Sequence, residues 1–489
     1  MSVRTSGLTG DPDLDRWQRR IFWTVWITYF AYYLCRQNMP VANTQLCETF
    51  SWSKTQIGSV FSALTLMYAV GQFVNGQLAD RFGGRVIASL GVLGSMLMNL
   101  AVFVLVLAAP GGSADHETVL WLLITFWAAN GFFQAMGWPS MVRIMAHWVP
   151  TSRRGKVMGA LGTCYLFGNA FTWLVAILLT GYFAQRFGGD WRNVFLVPAL
   201  MFAVVGVFFF LRIRNSPEDV GLPPVDMGSA GPTGPTRPTG LTGPTCPTPT
   251  GAPSNAPAPS MPVRVSPCPS VPRPTIAQNI AETLRNPHLW IVAAAFFMLD
   301  MTRYGFVNWL PDYLATPADA QSDSLLMERF KTIIKVCVLP LGGVPGMLLA
   351  GWVTDKFFGG RRAPAIVVLL TLLGILSFIF PFVDRNNTWL VVTVVLLIGF
   401  CTYGPHILMV GHAAQDFGKK SGAGGAAGFI DAMGYIGATL AGWGAGALID
   451  THGYRVAFIT FGSAAIVGAL LTCLIWQARP ETDAVDSRP

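Results

Sequence analysis

Charge is what this sequence is short of. Only 12% of its 489 residues are Asp, Glu, Lys or Arg, about half the share found in a soluble domain. Metal-ligand spacing is missing as well: eight cysteines are scattered with no CxxC pair, which leaves no metal centre and no cofactor to expect. No nucleophile and base are paired, which argues against an enzyme. The Gly-rich run GAGGAAGF (422–429) follows no strand, so it is not read as a nucleotide loop. The first twenty residues carry no signal-peptide cleavage pattern, so the first apolar stretch is expected to remain as an anchor.

What is abundant is apolar chain. Hydrophobic residues make up 52% and the mean hydropathy is +0.48. A bilayer crossing takes roughly 20 apolar residues. Twelve such stretches are expected, near 21–44, 57–79, 86–109, 119–146, 157–181, 193–212, 289–315, 332–354, 363–384, 388–415, 424–447 and 455–477. The net charge of +8 does not imply nucleic acid, because the bases sit in short loops between spans. Arg16, Arg19, Arg20, Arg81, Arg85, Arg153, Arg154, Lys156, Arg212, Arg214, Lys356, Arg361, Arg362, Lys419 and Lys420 all fall on one side, expected to be cytoplasmic. Arg186, Arg192, Arg329, Lys331 and Arg455 are a weaker opposite set.

The domain plan follows: a cytoplasmic N-terminus 1–20, a six-helix bundle 21–212, a Pro/Thr/Gly-rich cytoplasmic linker 213–285 too poor in apolar residues to fold, a second six-helix bundle 286–477, and a tail 478–489. The expected fold is all-α, with twelve transmembrane helices in two pseudo-symmetric bundles. GQLADRFGGR (76–85) and GWVTDKFFGGRR (351–362) repeat Gly, Asp and a base at matched offsets after the second and eighth spans. Such a duplication places a binding site between the halves.

Two arginines fit that site. Arg36 lies in AYYLCRQN of the first span and Arg303 in LDMTRYGFVNWLPDYL of the seventh. A charge at membrane depth is costly and marks function by default. Arg presents a planar fork of donors that suits a phosphate monoester. Asp300, one turn before Arg303, shares its helix face. It is read as holding or neutralising Arg303, or as contacting a hydroxyl or amine of the solute. His406 and Asp431 are further polar groups in spans; Asp431 is read as a proton site or a satisfied structural acid. Asp80, Arg81, Arg85 and Asp355 are read as a cytoplasmic latch between helices.

GQLADRFGGR closely resembles the loop signature of the major facilitator superfamily. AYYLCRQN, FQAMGWPS (133–140), NSPEDVGLPP (215–224), TRYGFVNWLPDYL (302–314) and VPGMLLAGWVTDKFFGG (344–360) resemble the organophosphate:phosphate antiporters. So does YGPHILMVGHAA…KKSGAGGAAGF (403–429). The resemblance runs from about residue 15 to 475, interrupted by the linker. It implies phosphate binding by Arg36 and Arg303, with Tyr29, Tyr33, Tyr68, Tyr403 and Tyr435 lining the site. Three positions depart from the glycerol-phosphate branch: Gln72 replaces a lysine, Tyr165 a histidine and Asp300 a tyrosine. The implied activity is exchange of an organophosphate for inorganic phosphate by alternating access, in a plasma membrane and by a monomer. The competing expectations are a sugar-phosphate sensor on the same fold and a proton-coupled organic-anion carrier.

Overall fold

The computed structural model describes residues 12–109, 115–183, 190–225, 284–315, 322–358, 361–413 and 423–477, and every regular element among them is helical. The first half holds α1 (Pro12–Tyr32), α2 (Met39–Phe50), α3 (Lys54–Phe82), α4 (Gly84–Ala108), α5 (His116–Gln134), α6 (Gly137–Trp148), α7 (Thr151–Ile177) and α8 (Asn193–Arg212). The second half holds α9 (Pro287–Tyr313), α10 (Ser322–Phe357), α11 (Ala363–Ile379), α12 (Thr388–Ile407) and α13 (Ala423–Cys473).

Local sequence explains where these helices start. Ser53 accepts from Gln56 N while the Gln56 side chain returns to Ser53 N, a reciprocal cap on α3. Asn286, Asp115 and Asn387 cap α9, α5 and α12 with their side chains. In α13, Gly453 takes φ +77°, a left-handed value that suits glycine, and there the long helix turns back on itself.

Among the described residues, nine stretches are long and apolar enough to cross a membrane. One of them, Gly428–Cys473, has 46 residues. At 1.5 Å per residue it is about 69 Å of helix, twice the hydrocarbon thickness. It therefore supplies two crossings, which makes ten. The other two are α1 with α2, and α3, which carry more polar residues. Among the described residues, each of the twelve expected stretches lies mainly in helix. The largest departures are the first, which runs on to Phe50 across a break, and the eighth, which begins at Ser322. The outer surface is apolar: Trp389, Val204, Leu211 and Leu470 are all exposed, as suits contact with lipid rather than water.

The halves meet mainly along α3 with α13, α7 with α10, and α2 with α9. The α3–α13 crossing is backbone-close. A Cβ on Gly58 would stand 2.5 Å from the Gly442 carbonyl oxygen, and one on Gly442 would meet Ser62 Oγ at 2.5 Å. Ser62 Oγ donates to Thr439 O (2.6 Å) and accepts from Trp443 N (2.7 Å), so the absent side chains are replaced by hydrogen bonds.

The end away from the termini is sealed by two second-half acids. Asp450 accepts from Lys54 N (2.8 Å), Thr55 N (2.7 Å) and Thr55 Oγ1 (2.6 Å). It thus caps, from the other half, the positive end of α3. Asp312 accepts from Thr44 Oγ1 (2.6 Å), pairs with Lys54 Nζ (2.8 Å) and accepts from the Tyr454 hydroxyl.

At the opposite end, Arg85 N donates to Asn215 Oδ1 and Arg85 Nη2 to Phe210 O, both at 2.9 Å. These bonds tie the start of α4 to the chain leaving α8 within one half. Arg81 is exposed over the Phe82 ring. The side chains of Asp80 and Asp355 lie outside the described residues, as does chain 226–283, most of the expected linker.

A paired-arginine cleft between two helical bundles

The first arginine is positioned by a broken helix. After α1 the chain makes a 3-10 turn, Tyr33–Cys35, and Arg36 leaves helical geometry at φ −125°, ψ −46°. A break at membrane depth is tolerated only where the freed backbone groups find partners. Here amides supply them. Asn99 Nδ2 (3.0 Å) and Asn130 Nδ2 (2.8 Å) both donate to the Cys35 carbonyl, and Gln134 Nε2 donates to Tyr32 O (3.0 Å). Asn38 restarts the chain: its Oδ1 accepts from Met39 N, while its Nδ2 donates to Asn99 Oδ1 (2.9 Å) and Val194 O (3.0 Å). Pro40 then occupies the first turn of α2, where a missing N–H is harmless.

Arg36 is 4% exposed and, among the described residues, has no carboxylate in salt-bridge range. Its Nη2 donates to the Tyr304 hydroxyl of the other half at 2.5 Å. Its guanidinium lies 4.4 Å from the Tyr68 ring centre and 5.5 Å from that of Tyr33. Ring faces stabilise a desolvated cation by about 2 kcal/mol or more, and a hydrogen bond from a charged donor adds about 1.5–3. These offset burial without an ion pair. Arg36 Nε is buried without a hydrogen-bond partner.

Arg303 differs. It sits inside α9 with Asp300 one turn earlier, and Nη2 donates to Asp300 Oδ2 at 3.1 Å. Asp300 Oδ1 is 3.0 Å from Arg303 Nε, but it lies off the N–H direction and accepts no hydrogen bond there. Asp300 is fully buried and Arg303 9% exposed. Asp300 is thus in direct contact with Arg303. Tyr304 connects the two cations, with its ring 4.7 Å from the Arg303 guanidinium and its hydroxyl on Arg36.

Rings continue the lining. Tyr68 packs on Tyr435 across the halves at 4.5 Å. Tyr29, Tyr33, Tyr165 and Tyr403 follow one another at 6.1–6.3 Å, and His406 lies 6.4 Å from Tyr165 and 6.2 Å from Tyr403. The Tyr165 hydroxyl reaches Met347 Sδ at 3.0 Å. Asp431 stands within electrostatic reach of both arginines. Gln72 is half-buried on α3 and joins none of these contacts. Among the described residues, no cluster of His, Cys, Asp and Glu is arranged to hold a metal. Sequence reasoning missed Tyr304, Gln37 and Asn308. Tyr304 directly follows Arg303, and that adjacency was the available signal.

Fold and cleft define a multi-span membrane protein of the carrier type, built of two helical bundles. The chain belongs to the Major Facilitator Superfamily, whose family model matches residues 25–442 and 338–489. It is 29% identical over 466 residues to a probable hexose phosphate transport protein of Chlamydia pneumoniae, covering 94% of this chain and 92% of that one. It is 27% identical over 471 residues to the membrane sensor protein UhpC of Escherichia coli K12, covering 96% and 94%. A bacterial homolog of the human lysosomal transporter Spinster has the same fold, with a TM-score of 0.64 at 14% identity over 94% of this chain and 95% of that one.

Proposed function

We propose that this protein carries a phosphate ester, a sugar phosphate or glycerol phosphate, across a plasma membrane in exchange for inorganic phosphate. It acts as a monomer by alternating access. The carrying observation is the pair of buried guanidinium groups, one from each half, joined through Tyr304, with Arg36 making no ion pair among the described residues. A phosphate monoester brings up to two charges and three acceptor oxygens. It can take both forks at once, displace part of the Asp300 contact and draw the bundles together. Tyr29, Tyr33, Tyr68, Tyr165, Tyr403, Tyr435 and His406 surround the organic portion, whose C–H faces pack on rings and whose hydroxyls bond at their rims. The relative named for hexose phosphate transport supports the substrate class. With both termini and the basic loops cytoplasmic, the end closed by Asp312 and Asp450 faces outward.

The test is exchange of external labelled phosphate in phosphate-loaded proteoliposomes, wild type beside Arg36→Lys and Arg303→Lys. Lysine keeps the charge and loses the fork. Exchange by wild type and its loss in both folded variants is the expected result. Variants that exchange at the wild-type rate would remove the arginines from the site. The similarity to a membrane sensor supports a second reading, in which the same cleft binds sugar phosphate and signals. Phosphate-ester binding by wild-type protein that exchanges nothing selects that reading.

A further inference from the structure

One wall of the cleft gathers acid instead of base. Asp300 on α9 presses against α13: a Cβ on Gly434 would stand 2.8 Å from Asp300 Oδ2 and 2.3 Å from the Phe296 ring. Asp431 lies one helical turn before Gly434, on the same face of α13. The two carboxyl groups are within electrostatic reach of each other. Rings complete the corner. His406 of α12 is 5.3 Å from Phe296 and 6.2 Å from Tyr403, and Tyr435 follows one turn after Asp431. Asp300 is fully buried, and its Oδ1 accepts no hydrogen bond. Asp431 makes no ion pair among the described residues.

Charge makes this wall a specific feature. Among the described residues, the charged groups that act on one another in the cleft are Arg36, Arg303, Asp300 and Asp431, and their charges cancel. A phosphate monoester brings up to two negative charges into that neutral set. It also takes donors of Arg303 that now serve Asp300, and a buried carboxylate stripped of its partner is costly. A solute that carries its own cation answers both demands. Its phosphate goes to the arginines, and its ammonium goes to the acid that phosphate has displaced. An ammonium offers three donors and no acceptor, which suits a wall of carboxylates. Ring faces add to its stabilisation.

Resting on the phosphate-carrier reading above, we infer that Asp300 and Asp431 form an ammonium subsite, so that the transported ester carries an amine beside its phosphate, as an aminoalkyl or amino-sugar phosphate does. Asp300 then passes from Arg303 to ammonium as Arg303 passes from Asp300 to phosphate, and no buried charge is left alone. The reading deepens the substrate class from phosphate ester to zwitterionic phosphate ester. Protonation of Asp300 or Asp431 would meet the same demand from water, and an amine would then bring no advantage.

The experiment compares 2-aminoethyl phosphate, 2-hydroxyethyl phosphate and n-propyl phosphate, which differ only in a terminal amine, hydroxyl or methyl. Affinities for purified full-length protein are read near neutral pH from the concentration dependence of thermal stabilisation, with inorganic phosphate as reference. Wild type should bind the amine at least about tenfold more tightly than either of the others, the worth of one charge-assisted hydrogen bond. Asp431→Asn keeps the shape, removes one charge and leaves the Asp300–Arg303 pair in place. There the ratio should fall to about threefold or less, and Asp300→Asn should narrow it as well. The ratio is the readout because removal of an acid strengthens the binding of every anion. Stabilisation by inorganic phosphate shows that a variant is folded. Equal binding of the three esters by wild type overturns the subsite, and so does an amine preference that survives both substitutions. Hydroxyl and amine bound equally, both above methyl, overturn it too, since a neutral group then suffices. The wild-type comparison decides even where a variant fails to fold. Failure of wild type to bind inorganic phosphate and every ester overturns the arginine clamp instead. Failure to exchange phosphate in proteoliposomes overturns transport and leaves the binding comparison standing.

Discussion

The two arginines are differently compensated, and that asymmetry has measurable consequences. Arg303 leans on Asp300, whereas Arg36 leans on rings and on the Tyr304 hydroxyl. Removing one member of a buried pair costs about 3–5 kcal/mol, because the survivor is left charged and alone. Asp300→Asn should therefore lower the unfolding temperature in phosphate-free buffer, and added phosphate should recover more stability in the variant than in wild type. No extra recovery would mean that phosphate does not reach Arg303. Tyr304→Phe keeps the ring and loses the hydroxyl. It should raise the half-saturating phosphate concentration of exchange by about fivefold to tenfold, the worth of one hydrogen bond. An unchanged value would leave the Tyr304–Arg36 contact without a part in binding. Arg36, Arg303 and Asp300 were legible in the sequence because ionisable groups are rare in apolar runs. Tyr304, Gln37 and Asn308 were not. Neutral polar residues occur in spans for packing as often as for binding, and only their placement around Arg36 sets them apart.

Among the elements, the sealed end combines a backbone-close crossing with a borrowed helix cap. Both act only while the halves touch there. Gly442→Val places methyl groups where Ser62 Oγ and the Gly58 carbonyl already stand. Asp312→Ala frees Lys54, Thr44 and Tyr454 together. Each should shift the population toward the form open at this end, whose cost is set by these contacts. Cys47 is a native reporter: it is half-buried near the end of α2 and carries no disulfide. Its labelling by a membrane-impermeant maleimide from outside should be severalfold faster in both variants than in wild type. Equal rates would show that these contacts do not hold the end shut. Spans were legible here because a bilayer imposes one length and one composition on every crossing. The break at Arg36 was not. It depends on Asn99 and Asn130, which come from α4 and α5 and lie far from Arg36 in sequence. The Asp450 cap on α3 hides for the same reason, since 395 residues separate it from Thr55.

At the scale of the whole molecule, the duplication visible in GQLADRFGGR and GWVTDKFFGGRR becomes two bundles with one arginine each, and the charge between them decides what kind of carrier this is. The Arg36 cation, which has no ion-pair partner among the described residues, must pass through the closed intermediate whether or not a solute is present. Unloaded, the cleft holds a guanidinium from each half in a medium where charges interact far more strongly than in water, with Asp300 paired to Arg303 and Asp431 within reach of both. Loaded with phosphate, the two guanidinium groups share a counter-charge. On the exchange proposed above, the barrier to reversal is lower for the loaded form, and return of the carrier needs an anion on the other side. In proteoliposomes, uptake of external labelled phosphate should be at least roughly tenfold faster with phosphate inside than without, since a difference of 1.4 kcal/mol between the two barriers already gives that ratio. The same asymmetry should be reduced in Tyr304→Phe, where Arg36 is free to withdraw from the other half. Uptake that ignores internal phosphate but follows an imposed proton gradient would move the coupling from the arginines to Asp431 or Asp300, and would make the protein a proton-driven carrier with the same architecture.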